Sequence, residues 1–562
     1  MSEKSPALRS FVSSGAVWGL AVFIFALALR LVGLGWGLPN DLRNQSLHPD
    51  EPIIWMYSQR IEPAKLKFDP GFYNYGTLYL TLLRISTDVV QGYGGGPTDK
   101  TDRAEWDAIG RYHKAGRFLS ACAGAGIAWG VFAILRRRTT LIGAGAGSLA
   151  AALAPGMVMH SRFQTVDMVA AFFLTLSLFY SLRLFPSSEG EDDDPQPLKM
   201  ALLAGLFAGL SAGTKYTGFL ALLPLFVAAF SRPASERFRI IGAGVAVAVL
   251  SFLITTPGAV LNTSKFLEDT LFEMRHTATG HGLVFAGTSP GFIYHLANLS
   301  AGLGGALLLL GTCGLGAGVW RKRLWLISLV IFFASYYILI GRAEVKFYRY
   351  VIPLIPVLAI GVGWFVGQCQ RHPNLRWRWL VALAIIGLGE ALSRSAVNTM
   401  WMSTEDPRDE AARYLKEKAP SSVVGVVSDP WFQTPPLYPD TAFPRSIPFA
   451  KRNEARLAAT SPKVLQYVPD NPDERFDWDV RLLDQKPEYV VYSSFEVDDV
   501  ARIYGLKGLD PVLTLQADRA KTFIDRLKSE YEPLPYYGAD GPQIHDLMYV
   551  RPRVWIWKRK GL

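Results

Sequence analysis

The sequence predicts a polytopic α-helical membrane protein with a C-terminal α/β domain outside the membrane, and three observations predict it. First, hydrophobic residues make up 50% of the 562 positions and fall in long blocks, with a mean hydropathy of +0.18. The blocks are 16–36 (broken only by Arg30), 141–159, 169–182, 240–255, 304–320, 324–340, 351–366 and 380–392. Each approaches the roughly 20 residues that a helix needs to cross a bilayer. No soluble fold needs so many helices that are apolar all round. Second, Lys and Arg are dense in four short loops, 136–138, 231–239, 321–323 and 371–378, which the positive-inside rule places in the cytoplasm. Third, the composition changes near Asn398, and shorter amphipathic segments follow.

The elements follow in order. The first apolar block reads as a retained helix rather than a signal peptide, because it is too long and lacks a small-residue cleavage site. From an inside N-terminus it exits near Trp36. The next span, 115–135, must re-enter to put 136–138 inside, so residues 37–114 lie wholly outside. The apolar stretch 75–90 within that loop carries Arg84 and Asp88 and is expected to be an amphipathic surface helix. Crossings at 139–159, 168–184, 199–213, 217–230, 240–255, 291–320, 324–340, 350–366 and 380–393 follow. They leave the acidic run 189–194 inside, a second external loop at 256–290, and an external C-terminus. The expectation is about eleven spans in the inner or plasma membrane, over residues 1–396. Residues 397–562 form the external domain. There 406–418 and 517–531 read as helices, 422–427, 488–492 and 553–558 as strands, and 429–448 and 461–477 as polar connections rich in proline. No internal repeat is seen.

Charge and cysteine usage exclude other classes. The net charge of +10 and isoelectric point of about 9.3 come from the loops, which suits membrane topology rather than nucleic acid. Cys122, Cys313 and Cys369 lie in or beside apolar segments and form neither a metal spacing nor a disulfide framework.

Polar residues at the outer ends of the spans are the candidates for chemistry. The segment His48-Pro49-Asp50-Glu51 places two carboxylates beside apolar walls, where burial brings a carboxylate towards a general base. The same residues also suit a plain helix start before Pro52. In the loop 160–167, Arg162 and Asp167 could bind an anion and a sugar hydroxyl, or anchor the interface. Lys215 lies between apolar halves and calls for a partner, a ligand or snorkelling. His276 and His281 flank a glycine-containing turn that suits a ligand's edge or an ordinary bend. The run 342–350 puts Arg342, Lys346 and Arg349 at an outer helix start. That position opposes both the positive-inside bias and the helix dipole, and an anionic lipid phosphate would resolve both conflicts.

Taken in order, these segments resemble a known family. Leu29-Arg30-Leu31, Gly33-Leu34-Gly35 and Leu47-His48-Pro49-Asp50-Glu51 resemble the start of the GT-C membrane glycosyltransferases, in the protein O-mannosyltransferase and aminoarabinose-transferase branch. Asn74 to Tyr79, His160-Ser161-Arg162 to Asp167, Thr214-Lys215-Tyr216, Gly280-His281-Gly282 and Lys346-Phe347-Tyr348-Arg349-Tyr350 also resemble family motifs, over about residues 20 to 395. One departure is Gly76, where the family often has a Pro-Pro or Tyr-Pro pair.

The resemblance implies transfer of a monosaccharide from a polyprenyl-phosphate carrier to a hydroxyl of a protein, lipid or glycan on the outer face, with inversion. It implies Asp50 as the base, Glu51 as the residue that orients Asp50 or the acceptor, and Asp167 as the holder of a hydroxyl. His48, His281 and Tyr350 would line the substrate site. Lys346 and Arg349, with Arg162 or Lys215, would hold the phosphate. No cofactor is expected and no metal site is assigned, although Asp50, Glu51 and His281 could hold a divalent ion. Membrane lipids are the other expected partners. A secondary transporter of an anionic or lipid-linked substrate is the main competing class. It would place its polar groups near the midplane and show repeated halves. A sensor or assembly protein would not explain charges gathered at one face.

Overall fold

The computed structural model describes residues 15–185, 196–372, 374–437, 461–467, 476–538 and 544–562, with the single residues 451, 469 and 540. The acidic run 189–194 and parts of the two proline-rich connections lie outside the described residues.

The first part of the chain is helical. It comprises α1 (Gly15–Leu31), α2 (Asp50–Ser58), α3 (Leu78–Val90), α4 (Asp102–Arg136), α5 (Leu141–Leu153), α6 (Pro155–His160), α7 (Val166–Leu182) and α8 (Pro197–Ala212). A 3-10 turn (Tyr216–Ala221) then runs into α9 (Leu222–Phe230). Next come α10 (Ala234–Thr255), α11 (Thr263–Thr279), α12 (Gly291–Leu303), α13 (Gly305–Trp320) and α14 (Leu324–Gly341). A second 3-10 turn (Tyr348–Leu354) leads into α15 (Ile355–Arg371), and α16 (Leu375–Trp401) follows. By length and apolarity five of these helices can cross a membrane, or six if α12 and α13 count as one bent span. The other crossings expected from the sequence fall on shorter apolar helices of 10–17 residues. The protein is thus a polytopic membrane protein that is mostly helical.

The expected crossing at 291–320 is broken. Helices α12 and α13 meet at 108°. Gly304 sits at the corner with φ +103°, a conformation that only glycine adopts without strain. The freed N–H groups of Gly305 and Ala306 donate to the Glu390 carboxylate of α16, at 3.1 and 3.3 Å. A side chain from another helix therefore caps α13, as an N-cap residue would.

Small residues bring the helices close. A Cβ at Gly205 would collide with the carbonyl of Gly244, so α8 and α10 touch backbone to backbone. Gly76 has a similar reason for its departure from the family pattern: a Cβ there would collide with the carbonyl oxygen of Gly213. That carbonyl accepts the N–H of Leu78 at 2.9 Å and fixes the start of α3 against the end of α8. Helix α3 buries Tyr79, Leu80, Leu83 and Thr87 on one face, the amphipathic pattern expected for 75–90.

After α17 (Pro407–Lys418) come the strands β1 (Val423–Val426), β2 (Lys463–Leu465) and β3 (Tyr489–Ser493). They are followed by α18 (Ser494–Ile503), α19 (Pro511–Glu530), β4 (Tyr531–Pro533), α20 (His545–Val550) and β5 (Val554–Arg559). The five strands form one sheet in the order β2-β1-β3-β5-β4, parallel at β2-β1-β3 and antiparallel at β3-β5-β4. Alternation along β3 sends Val491 to one face, with Ala411 and Leu415 of α17. Val490 and Tyr492 go to the other, with Phe523 and Leu527 of α19.

Candidate active site

The helical part and the sheet part enclose a cavity of about 1380 Å³. Its helical walls come from the starts of α2 and α7, the junction after α8, helix α11 and the segment 336–350. Its far wall comes from residues of the sheet part, among them Trp431, Phe432, Glu496, Arg519, His545 and Tyr549.

Asp50 lies in the first turn of α2, where the helix dipole favours a negative charge. Its Oδ2 is 3.4 Å from the Arg349 guanidinium, and both residues line the cavity. The guanidinium lies over the Phe347 ring at 4.2 Å and leaves Nη1 buried without a hydrogen bond. Lys215 Nζ donates to Asp167 Oδ1 at 2.7 Å and lies 5.0 Å from the centre of the Tyr350 ring. Asp167, Lys215 and Tyr350 also line the cavity. Arg342 adds a further, exposed cation to the same wall. His281 and His276 share a 2.9 Å hydrogen bond at the edge. Two carboxylate–cation pairs, Asp50 with Arg349 and Asp167 with Lys215, thus converge where apolar helices end.

Other expected site residues turn elsewhere. Glu51 follows Asp50 in α2 but faces the core and is fully buried. Arg117 of α4 grips it with two bonds of 2.8 and 2.7 Å, and Gln164 N–H and the Ser46 hydroxyl complete its shell. Burial disfavours its charge, but the charge and hydrogen bonds of Arg117 outweigh that and bring its pKa down to about 2. It does not line the cavity and ties α2 to α4 instead. His48 is buried against Phe163 and Tyr549, at ring separations of 4.4 and 5.1 Å, and burial lowers its pKa. Its Nδ1 accepts the N–H of Asp50 at 3.3 Å, so it supports Asp50 from behind.

Arg162 is fully buried and donates to Leu29 O at 2.8 Å and Thr399 Oγ1 at 2.7 Å, which pins α1 to α16. Lys346 is 3% exposed and donates to Thr288 Oγ1 at 3.1 Å, away from the cavity. Of the cations expected around a phosphate, Lys346 and Arg349 with Arg162 or Lys215, only Arg349 and Lys215 line the cavity, and Arg342 lines it too. A divalent ion held jointly by Asp50, Glu51 and His281 does not fit, since Glu51 is engaged by Arg117. No group of three metal-ligating side chains occurs among the described residues.

The sequence reading missed the far wall. Glu496 caps α18 through Ser493 N–H at 2.7 Å and accepts from Ser428, and burial raises its pKa to about 7. In the same wall Trp431 meets Phe432, and Phe432 meets Phe495, edge to face at ring separations of 4.8 and 5.0 Å. No short motif marks these residues; only docking of the sheet part brings them to the cavity.

The fold and the cavity describe a membrane protein whose charged site lies between apolar helices and a sheet-containing part. Residues 108–260 match the family model described as dolichyl-phosphate-mannose-protein mannosyltransferase. No curated protein sequence matches the chain. Among solved structures the chain is similar to ArnT from Cupriavidus metallidurans bound to undecaprenyl phosphate (14% identity, TM-score 0.49, 97% of this chain and 98% of that one). It is also similar to the Archaeoglobus fulgidus oligosaccharyltransferase tethered with an acceptor peptide (15% identity, TM-score 0.49, 95% and 74%). A third is the arabinofuranosyltransferase AftD from Mycobacteria (14% identity, TM-score 0.46, 97% and 40%). The chain is similar to the GT-C membrane glycosyltransferases, as its ordered motifs imply.

Proposed function

We propose that the protein transfers a monosaccharide from a polyprenyl-phosphate carrier to an acceptor hydroxyl, in the cavity between helices and sheet. The observation that carries this reading is the convergence of Asp50, Arg349 and the Lys215–Asp167 pair at the ends of apolar helices. The match of residues 108–260 to a family named for a dolichyl-phosphate sugar supports it.

In this reading Asp50 takes the proton of the acceptor hydroxyl as its oxygen attacks the anomeric carbon. The bond from that carbon to the phosphate oxygen breaks, its electron pair stays on the phosphate, and attack opposite the leaving group inverts the centre. Arg349 and Lys215 stabilise the charge that grows on the phosphate, and such preorganised charge acts most strongly where water is excluded. Asp167 holds Lys215 and is placed to accept a sugar hydroxyl.

The test offers purified protein either a polyprenyl-phosphate sugar or the matching nucleotide-sugar. Transfer is expected from the lipid-linked donor alone. Asp50→Asn should lower turnover by about 10²–10⁴-fold, because the amide cannot take the proton. Transfer from the nucleotide-sugar alone, or undiminished turnover in Asp50→Asn, would overturn the reading.

A further inference from the structure

The 3-10 turn that carries Arg349 begins without a side-chain cap of its own. Its first two N–H groups are satisfied from a distant part of the chain. Asp546, in α20 of the sheet part, accepts Tyr348 N–H on Oδ1 at 3.2 Å and Arg349 N–H on Oδ2 at 3.3 Å. Asp546 has no solvent exposure. His160 Nε2 of α6 lies 3.6 Å from its Oδ2, and His545 Nδ1 lies 3.8 Å from its Oδ1. A carboxylate so deeply buried is tolerated only where charge and hydrogen bonds compensate it. Here the backbone of residues 348 and 349 supplies the hydrogen bonds. Arg349 then projects its guanidinium to Asp50, while Tyr549, one turn further along α20, lines the same cavity.

We infer that Asp546 is a positioning residue for the reaction: it clamps the backbone at Tyr348 and Arg349, and so sets the guanidinium against Asp50 and the donor phosphate. The sheet part is then a required component of the site rather than an appendage. The clamp acts on the one cation that bridges the base and the leaving group, so its loss should reach the chemical step before donor binding. This rests on the glycosyl-transfer reading given above.

Asp546→Asn tests it. The amide can accept one of the two N–H groups but presents its own NH2 to the other. A displacement of about 1 Å at Arg349 is enough to lower kcat on the order of 10²-fold. The expected result is that fall in kcat with a much smaller change in KM for the lipid-linked donor, in protein that stays folded in detergent although its thermal midpoint falls somewhat, because one buried N–H loses its acceptor. Because Asp546 acts through Arg349, the double variant Arg349→Ala with Asp546→Asn should be no slower than Arg349→Ala alone. A general structural defect would instead multiply the two losses, and that outcome overturns the inference. Hydrogen exchange of the peptide covering 345–352 gives a readout independent of activity: it should quicken in Asp546→Asn, and unchanged exchange would also overturn the clamp. If the wild type transferred no sugar from any lipid-linked donor, the glycosyl-transfer reading would fail by itself, and the exchange measurement would still decide whether Asp546 holds this segment.

Discussion

In the first turn of α2, Asp50 opens onto the cavity while Glu51, the next residue, is locked to Arg117. The two should fail in different ways. Glu51→Gln leaves the Arg117 guanidinium buried without its counter-charge, and breaking a buried pair costs about 3–5 kcal/mol. A large drop in thermal midpoint is expected, whereas Asp50→Asn should lose turnover and keep its midpoint. The acid dependence follows from the same pair. The Glu51 pKa is lowered in the fold from 4.5 to about 2. Its contribution is therefore fully present above pH 4.5 and is lost as pH falls through 4.5 towards 2. Unfolding measured against pH should show that loss in the wild type and not in Glu51→Gln. That polar residues gather at the outer ends of the helices was legible in the sequence, and six of the candidates, Asp50, Asp167, Lys215, His281, Arg349 and Tyr350, line one cavity. Their directions were not legible. Successive helical residues point about 100° apart, so adjacency in a motif separates Asp50 from Glu51 rather than pairing them. Lys346 and Arg349 precede and enter a 3-10 turn, and only the second reaches the cavity.

Helices were legible by apolar length, and the break inside one of them was not. Residues 291–320 read as a continuous run, because hydropathy does not distinguish a straight crossing from two helices meeting at 108°. The local signal was Gly304-Gly305, but the group that makes the corner stable, Glu390, lies in another helix 85 residues on. Two substitutions weigh these contributions. Gly304→Val forces a β-branched residue to φ +103° and should cost roughly 1–3 kcal/mol. Glu390→Ala removes the cap of α13 and should cost about 1 kcal/mol. Thermal unfolding in detergent checks both, and equal stability of Gly304→Val and wild type would show that the corner straightens without penalty. The same logic covers Gly76, where composition alone showed a departure and the approach of Gly213 explains it.

For the whole molecule, the face at which the cavity opens decides what donor can enter. A polyprenyl-phosphate sugar on the outer leaflet needs Asp50, Arg349 and the sheet part on the external side. The expected topology puts them there because the loops 136–138, 231–239, 321–323 and 371–378 carry dense Lys and Arg, which the positive-inside rule assigns to the cytoplasm. The sheet part itself gave little away in sequence. Its strands are short and its contribution to the site, Asp546 with the aromatic wall, arises from contacts almost 200 residues apart in the chain. Topology can be tested without reference to activity. In a variant with Cys122, Cys313 and Cys369 replaced, single cysteines go at Thr98, in the loop that bears Asp50, and at Lys322, in a basic loop; both positions are exposed. A membrane-impermeant thiol reagent applied to intact cells should label the cysteine at Thr98 and spare that at Lys322 until the membrane is opened. The opposite pattern would turn the cavity towards the cytoplasm. A nucleotide-sugar would then be within reach, and an outer-leaflet lipid phosphate could no longer be what Arg349 and Lys215 hold.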